Sequence, residues 1–416
     1  MTNTQDRANT PRLIELAQLF LKLGAIGFGG PQAHIAMQND EAVVRRKWMT
    51  ADQFSEGLAV CEMLPGPAST QMGIYIGYVR AGQLGALVAG VCFIAPAFVI
   101  LVALSWLYFR FQTVPQVEFL FLGISPVVTA IILGFCWKLG KRTIQDWTGV
   151  AIALVIFFSL WLLKVNVLLL FVLAGFVGLG LYRPKSKPED AGRDRASKSW
   201  LFPVLPSLSS AIATATVTGD VLALSSFWGL ERIQDFAVPL FLFFLRVGSF
   251  IFGGGLVIIP LLEFDVVERL QWLTQTEFIN GVAIGQLTPG PVVLTAAFVG
   301  FKVAGVLGAL VSAIAIFLPS FAFIMLAAPL LIRIRQNPWI RAFLRGVTSA
   351  VLGAIAAAAI PLAQTAIVQE SGVQSVIAVV IAVLALVALI RYKTPTWQLV
   401  PAGAAIGLIV GFVRLA

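Results

Sequence analysis

The sequence predicts an all-α polytopic membrane protein made of two homologous halves in inverted topology. Hydrophobic residues make up 59% of the chain and charged residues only 12%, whereas soluble domains carry about 25% charged residues. A glycine-rich break after an apolar run, FGGPQAHIAM at 28–37, recurs as FGGGLVIIPL at 252–261. The charges of corresponding loops are exchanged between the halves. These three observations predict the fold class.

Apolar runs follow one another along nearly the whole chain. A run of this length, or nearly so, is what a helix needs to cross a hydrocarbon core of about 30 Å, and we expect about 10–13 transmembrane segments. A soluble protein with so many buried helices would need a polar coat that this chain lacks. We therefore expect a multi-pass protein of the inner (cytoplasmic) membrane. The runs include Leu84 to Phe109, Val150 to Leu163, Val165 to Leu181, Val303 to Ile332, Val347 to Ala363, Val376 to Ile390 and Leu399 to Val413.

The two halves are a tandem duplication. One constant offset aligns tryptophan, proline and glycine residues, and it persists with a single one-residue slip, which chance alignment of apolar segments would not do. We call two residues matched when this register aligns them. Matched pairs include Phe20 and Phe244, Gly24 and Gly248, Trp48 and Trp272, Phe54 and Phe278, Gly57 and Gly281, Gly77 and Gly300, Pro96 and Pro319, and Gly123 and Gly346.

A polar segment separates the halves and fixes the expected orientation. Residues 183–199 combine prolines with an excess of basic residues, which is typical of a cytoplasmic linker. We divide the chain into a first transmembrane repeat at 1–182, a linker with a weakly apolar connector at 183–235, and a second repeat at 236–416. The linker then places Lys164 and Arg110 outside and Lys138, Lys141 and Arg142 inside.

The second repeat shows the opposite charge pattern. Its basic cluster matches the outside position of Arg110, and the stretch 364–372 has no lysine or arginine where the first repeat has three. Basic loops stay in the cytoplasm, so the two repeats point in opposite directions. Inverted repeats are common in secondary transporters, whose substrate site lies near the midplane and is built by broken helices. The cluster consists of Arg333, Arg335, Arg341 and Arg345, and Arg391 and Lys393 follow the same exchange.

Each glycine-rich break follows an apolar helix that contains one cation. Lys22 lies in LFLKLGAIGFGGP and the matched Arg246 in FFLRVGSFIFGGG. A cation inside a membrane is costly unless it has a partner or a polar cavity. Because the cation recurs at the matched position, we expect these residues to bind an anion. The alternative is that Lys22 extends its side chain to the headgroups.

A proline-glycine-proline triplet forms the second break in each repeat. Pro65, Gly66 and Pro67 are matched by Pro289, Gly290 and Pro291. Proline ends one helix and can begin another, whose free amide hydrogens and positive dipole form an anion site where a cavity is available. The alternative is a proline kink inside a continuous span. Likewise, the first break is either re-entrant, with five full spans in each half, or spanning, with six.

Glu62 is the candidate for proton coupling. It precedes the first triplet, and its matched residue is the neutral Gln286. An intramembrane carboxylate beside an anion site could alternate between protonation and substrate binding. Alternatively, Lys22 or backbone amides satisfy Glu62.

The remaining polar and sulfur-containing residues indicate no cofactor. Cys61, Cys92 and Cys136 lie in apolar surroundings, which argues against disulfides and metal sites. His34 is the single histidine, and we expect it at a solvated or headgroup position. Trp48 follows basic residues and is typical of a membrane-surface anchor, as is Trp272. A net charge of +9 fits cytoplasmic loops, and we expect no nucleic-acid partner.

The breaks and their flanks resemble the chromate transporter family in its long form with two fused homologous domains. FGGPQAHIAM, CEMLPGPASTQMGIYIGYVRAGQLGALVAGVCFIAPAF and the second LTPGP carry the resemblance, which covers nearly all the chain outside the linker and the extreme N-terminus. It implies export of chromate, chromate resistance and coupling to an ion gradient. Many members have an acidic residue directly after the first triplet, where this chain has Ala68.

The resemblance also implies a set of substrate-binding positions. They are Lys22, Gly29, Gly30, Pro31, Pro65, Gly66 and Pro67, with Arg246, Gly253, Gly254, Pro289, Gly290 and Pro291 as their second-half counterparts, and Trp48 as a further family motif residue.

Other functions stay open at this stage. Sulfate is a tetrahedral dianion like chromate, so a sulfate or other oxyanion transporter linked to sulfur status is the main alternative. An anion channel or a membrane enzyme is a further alternative, but the sequence has no nucleophile, base or metal constellation for an enzyme. Membrane lipid is an expected partner, and a homodimer is one assembly open to the chain. Direction, coupling ion and span count are not fixed by the sequence.

Overall fold

The computed structural model describes residues 4–144, 146–182, 225–252, 255–369 and 372–415. Within these ranges the chain is helical and contains no β-strand, which confirms the predicted all-α class.

The described part of the first repeat has seven helices. Pro31 begins the second helix, and that helix continues directly into a π-helical segment, Asp40–Arg45. A capping box between Thr50 and Gln53 begins the third helix. The helices are α1 (Thr4–Ile26), α2 (Gly30–Asn39), α3 (Ala51–Cys61), α4 (Ala68–Phe111), α5 (Pro115–Thr143), α6 (Trp147–Leu163) and α7 (Val167–Leu181).

The second repeat has the same order of elements. It too has a π-helical segment after the first break, Phe264–Arg269, and a capping box, here between Thr274 and Glu277. This agreement in local structure supports the tandem duplication. The helices are α8 (Ile233–Gly248), α9 (Ile258–Glu263), α10 (Gln275–Leu287), α11 (Thr295–Gln336), α12 (Pro338–Ile367), α13 (Gly372–Arg391) and α14 (Thr396–Leu415).

Helix α4 is a hairpin of two arms. The backbone leaves the helical conformation at Ala81 and at Gly82, whose φ is +66° and ψ is −151°. Gly77 and Gly85 then lie so close that a Cβ on either would overlap the backbone of the other. The chain therefore turns back after a short arm (68–80) into a long arm (83–111). Helix α11 turns in the same way at Ala304 and Gly305.

The first two breaks lie at the tips of re-entrant hairpins. Arg80 forms an ion pair of 3.0 Å with Glu15 of α1, and its guanidinium lies 5.2 Å from the Trp48 ring centroid. The beginning of α1, the end of the π-helical segment and the end of the short arm of α4 are therefore at one face. The breaks at 27–30 and 65–67 lie farther from that face, between the arms of each hairpin. In both broken elements of the first repeat the chain doubles back, which agrees with the re-entrant alternative. The described first repeat then has four long helical passes, and the span count stays a prediction.

The two repeats are inverted relative to each other. The long arms of α4 and α11 pack together, with Gly90 against the Phe321 ring. Near its end, the α4 arm reaches the turn where the α11 long arm begins, because Phe109 stacks on Phe301 just before that turn, 6.1 Å between centroids. Since residue numbers rise along one arm while they fall along the other, the matched arms are antiparallel. The predicted inverted relationship is confirmed.

The repeats also exchange their last helices. Helix α5 packs against α13 and α14 of the second repeat, whereas α12 packs against α6 and α7 of the first. Small residues allow this close approach, as between Gly123 and Gly403 or Gly346 and Gly178. The repeats are therefore intertwined through their last helices.

In the described ranges, five helical stretches are long and apolar enough to cross a membrane. They are α4, α5, α12, α13 and Val292–Leu326, and α6, α7 and most of α14 are shorter apolar helices. Tyr182, at the end of α7, contacts Arg345 near the beginning of α12, whereas Phe227 contacts Trp106 near the far end of α4. The linker predicted at 183–199 lies outside the described residues, and the repeat boundaries stay a prediction.

Candidate functional site

The four breaks are joined in two pairs by hydrogen bonds that cross between repeats. The backbone N–H of Gly66 donates to the carbonyl of Ile251 over 2.6 Å. The backbone N–H of Gly290 donates to the carbonyl of Gly27 over 2.9 Å. Gly66 is matched to Gly290 and Gly27 to Ile251. Each proline-glycine-proline triplet is therefore bound to the glycine-rich break of the other repeat, which makes a pseudo-symmetric centre.

Glycine is required at both triplets for conformation and for space. Gly66 has φ of +128° and Gly290 has φ of +87°, values that L-residues with a side chain rarely adopt. A Cβ on Gly66 would overlap the Ser320 hydroxyl and the Gln71 amide, and a Cβ on Gly290 would overlap Ala97. The triplets are tight turns between two helices, not kinks inside a continuous span.

The first glycine-rich break is held by His34. The break ends α1, Gly29 and Gly30 follow with positive φ, and Pro31 occupies the first turn of α2. His34 is buried, and its Nε2 donates to the Gly27 carbonyl over 2.7 Å. The expectation of a solvated or headgroup position for His34 is wrong. The sequence gives no hint of this bond, because the carbonyl acceptor becomes available only where the helix ends.

The corresponding second break is described only in part. Ile251 and Phe252 follow α8, and Gly255 begins a short 3₁₀ turn. Gly253 and Gly254, both predicted as site residues, lie outside the described residues.

The two predicted cations form matched ion pairs. Lys22 Nζ lies 3.9 Å from Glu41, and Arg246 donates to Asp265 over 3.1 Å. Glu41 and Asp265 are themselves matched, and each is on the π-helical segment of its repeat. Sequence reasoning missed both carboxylates, although the repeat register aligns them.

Each matched carboxylate also binds a second matched cation. Arg45 lies 3.6 Å from Glu41, and Arg269 lies 3.2 Å from Asp265. Asp265 is buried, whereas the Lys22 side chain is 59% exposed in the protein alone. Each of the two cations thus has a carboxylate partner, which offsets the free-energy cost of placing a charge inside the membrane. A direct role of Lys22 and Arg246 in anion binding stays a prediction.

Glu62 pairs with a cation from another helix. Arg142, at the end of α5, donates to Glu62 over 2.8 Å. Its partner is therefore neither Lys22 nor a backbone amide, the two alternatives considered from sequence. The matched positions in the second repeat are the uncharged Gln286 and Thr365.

A cavity of about 450 Å³ opens where the second-repeat hairpins begin. Its lining includes Thr365, Ser125, Tyr108 and Asn280. Asn280 donates to the Tyr108 hydroxyl over 3.0 Å and accepts from Ser125 over 3.4 Å. Thr365, which lines the cavity, is matched to Arg142. The cavity of the second repeat therefore corresponds in position to the Glu62–Arg142 ion pair of the first repeat, at the opposite face.

The two predicted surface tryptophans have different surroundings. Trp48 lies between Arg46 and Arg80, with the guanidinium carbons 5.1 and 5.2 Å from its ring centroid. Trp272 packs on Phe243 with 5.5 Å between ring centroids. Among the described residues, no three His, Cys, Asp or Glu side chains are grouped as a metal site would need.

Comparison with known proteins fits this duplicated architecture. The profile of the chromate transporter family matches residues 14–179 and again 238–408, one match in each repeat. The chain belongs to the chromate transporter family. The two matched segments leave out the linker between the repeats. Family membership and the long apolar helices together identify the chain as a multi-pass membrane protein.

Several curated relatives in this family align over most of their length. The chain is 35% identical to the chromate transport protein of Cupriavidus metallidurans over 97% of this chain and 94% of the relative. It is 36% identical to the probable chromate transport protein of Synechococcus elongatus, with 84% of each covered. The chromate transport protein of Pseudomonas aeruginosa is 30% identical over 84% of this chain and 81% of the relative. No solved structure matches the chain.

Proposed function

We propose that this protein is a secondary transporter that exports chromate across the cytoplasmic membrane and so confers chromate resistance. The observation that carries the proposal is the crossed pair of hydrogen bonds, Gly66 to Ile251 and Gly290 to Gly27. They bring four helix interruptions together, and interrupted helices are where transporters of inverted topology bind anions. The relatives named as chromate transport proteins favour chromate as the anion.

The helices that begin at this centre suit an anion. The short arm of α4 begins just after Pro67, and a 3₁₀ turn at Val292–Leu294 leads into α11 just after Pro291. The first amide hydrogens of a helix have no partner within the helix, and the dipole makes this end positive. Inside a membrane such groups bind a dianion far more strongly than in water. Lys22 and Arg246 supply further positive charge to each repeat.

The inverted repeats suit alternating access. The Glu62–Arg142 pair links the end of α3 to the end of α5 at one face, whereas the cavity lined by Thr365 opens at the other. Exchange of conformation between matched hairpins would open the first face and close the second. Protonation of Glu62 would release Arg142, and in this way a proton gradient would drive the exchange as an antiport.

Flux measurements in inverted membrane vesicles test the proposal. We expect an imposed pH gradient to drive chromate uptake that exceeds the leak of vesicles without the protein. Sulfate uptake of equal rate would instead identify a general oxyanion transporter. Chromate flux that follows only its own concentration difference would identify a channel, and the absence of flux for both anions would overturn the proposal.

A further inference from the structure

Three polar side chains at the first triplet are buried without a hydrogen-bond partner for one of their atoms. The Ser320 hydroxyl, the Thr70 hydroxyl and the Gln71 carbonyl oxygen have none within the described residues. All three residues have 0% exposure. Burial of a polar group without a partner is costly, so such groups are rare in the absence of a function. Unpartnered atoms this deep point to a ligand.

These side chains border the same turn. A Cβ on Gly66 would overlap both the Ser320 hydroxyl and the Gln71 Nε2 atom, and would lie 3.2 Å from the Gln71 Cδ atom. Gln71 Nε2 donates to the Pro65 carbonyl over 2.7 Å, which leaves its Oε1 as the free atom. Thr70 lies in the first turn of α4, where its N–H donates to the Pro67 carbonyl.

The second triplet lacks this polar set. Ala97 takes the place of Ser320 beside Gly290, and Leu294 is matched to Thr70. Thr295 is matched to Gln71, but its hydroxyl donates to the Val292 carbonyl over 2.8 Å. The pseudo-symmetry of the backbone is therefore broken by side chains: in the described part of the chain, the unpartnered atom beside the second triplet is the donor Gln286 Nε2, whereas the first triplet offers two hydroxyls and a carbonyl acceptor.

The chemistry of the three atoms is mixed. The two hydroxyls can donate, but a carbonyl oxygen only accepts. A fully ionised oxyanion has no hydrogen to donate, so it could not form a hydrogen bond with the Gln71 carbonyl oxygen. An oxyanion that keeps one proton has both an O–H to donate and oxygens that accept. Hydrogen chromate keeps such a proton close to neutral pH, whereas hydrogen sulfate keeps its proton only in strongly acidic solution.

We propose that the first triplet binds an oxyanion in its singly protonated form, with Ser320 and Thr70 as donors and Gln71 Oε1 as the acceptor. This inference rests on the proposed function, since it names the form of the anion at the same site. Binding of the protonated form would distinguish chromate from sulfate, which shape alone cannot do. A site built to accept a hydrogen bond from a ligand O–H rejects a ligand that lacks this group. Chromate is then preferred over sulfate although the two have the same geometry.

Equilibrium binding of chromate to the purified full chain in lipid nanodiscs tests the inference. We expect wild-type affinity, calculated on total chromate, to rise as pH falls through the ionisation of hydrogen chromate. Sulfate should compete poorly over the same range. Ser320→Ala should weaken binding by about tenfold, the size of one hydrogen bond to a charged group. Alanine already fits the matched position at Ala97, so this change should not unfold the protein.

Two further variants test which atom accepts the hydrogen bond and which of the two triplets binds the anion. Gln71→Met should reduce the pH dependence and bring chromate and sulfate affinities closer together. Ala97→Ser is the matched control, and it should leave chromate binding unchanged because the second triplet has no acceptor. Wild-type binding that is independent of pH, or unchanged affinity in Ser320→Ala, would show that these atoms hold structural water only. Such a result would overturn the inference while chromate flux in wild-type vesicles still supported the proposed function.

Discussion

The carbonyl of Gly27 accepts two hydrogen bonds, one from the backbone of Gly290 and one from the His34 ring. The first bond crosses between repeats, and the second is local to the break. The residue matched to His34 is Ile258, so only the first repeat has the additional support. His34 therefore fixes the carbonyl that the second triplet needs.

His34→Ala should destabilise the protein and impair transport. Loss of the ring removes one of the two donors to the Gly27 carbonyl, and the loss of one such hydrogen bond costs about 0.5–1.5 kcal/mol. Thermal unfolding in detergent should show a lower midpoint than wild type, and His34→Gln should recover part of the difference because its amide can donate. If the unfolding midpoint of His34→Ala equalled that of wild type, the hydrogen bond from His34 would not contribute to stability.

We predict that transport requires a positive charge at position 22 and at position 246. We expect Lys22→Ala or Arg246→Ala to abolish chromate protection at similar abundance in the membrane. The structure adds a sharper variant, the exchanged pair Lys22→Glu with Glu41→Lys, which keeps the ion pair but moves the cation. If the cation attracts the anion, the exchanged pair stays inactive. Recovery of chromate protection would instead assign Lys22 to holding the hairpin together.

Glu62→Gln should lose gradient-driven chromate uptake while equilibrium exchange of the anion is retained. The reason is that glutamine cannot carry a proton, although it fits, as the matched Gln286 indicates. Arg142→Gln is the informative control, since it breaks the same ion pair but leaves the carboxylate. It should slow uptake without removing its response to pH. Equal responses of Glu62→Gln and wild type to the gradient would end the proton-coupling role.

Crosslinking should confirm the inverted arrangement in the membrane. Lys164, between α6 and α7, forms an ion pair of 2.7 Å with Glu268 at the beginning of the second repeat. In a background without Cys61, Cys92 and Cys136, the pair Lys164→Cys with Glu268→Cys should crosslink. The pair Arg142→Cys with Glu268→Cys should not, because the two ends lie at opposite faces. Crosslinking of the second pair alone would mean that the repeats are parallel.

The fold class could be predicted because its determinants are local or repeated. Apolar runs, the repeat register and loop charges require no knowledge of packing, and Gly66 and Gly290 lie at breaks as expected. The crossed bonds could not be predicted, since they join residues from different repeats whose approach depends on the whole fold. For the same reason, the sequence did not reveal Ser320 as a neighbour of Gly66.

Charge partners were predicted least well. The sequence indicated that Lys22 needs a partner, and for Glu62 it offered Lys22 or backbone amides as the alternative to proton coupling; neither Glu41 nor Arg142 was named. Long side chains reach several ångströms beyond their helix, and the helix that supplies a partner is not encoded locally. Glu41 was within reach of prediction, because the register aligns it with Asp265.

Chromate uptake by inverted vesicles that carry Gly66→Ala or Gly290→Ala tests the central claim, that the crossed breaks form the transport site. Gly180→Ala is the control, since a Cβ there meets no atom within 4 Å. We predict that both triplet variants lose uptake at wild-type abundance in the membrane, because the methyl group strains positive φ and overlaps Ser320 or Ala97. The control should transport normally. Uptake at the control rate in both triplet variants would contradict the account.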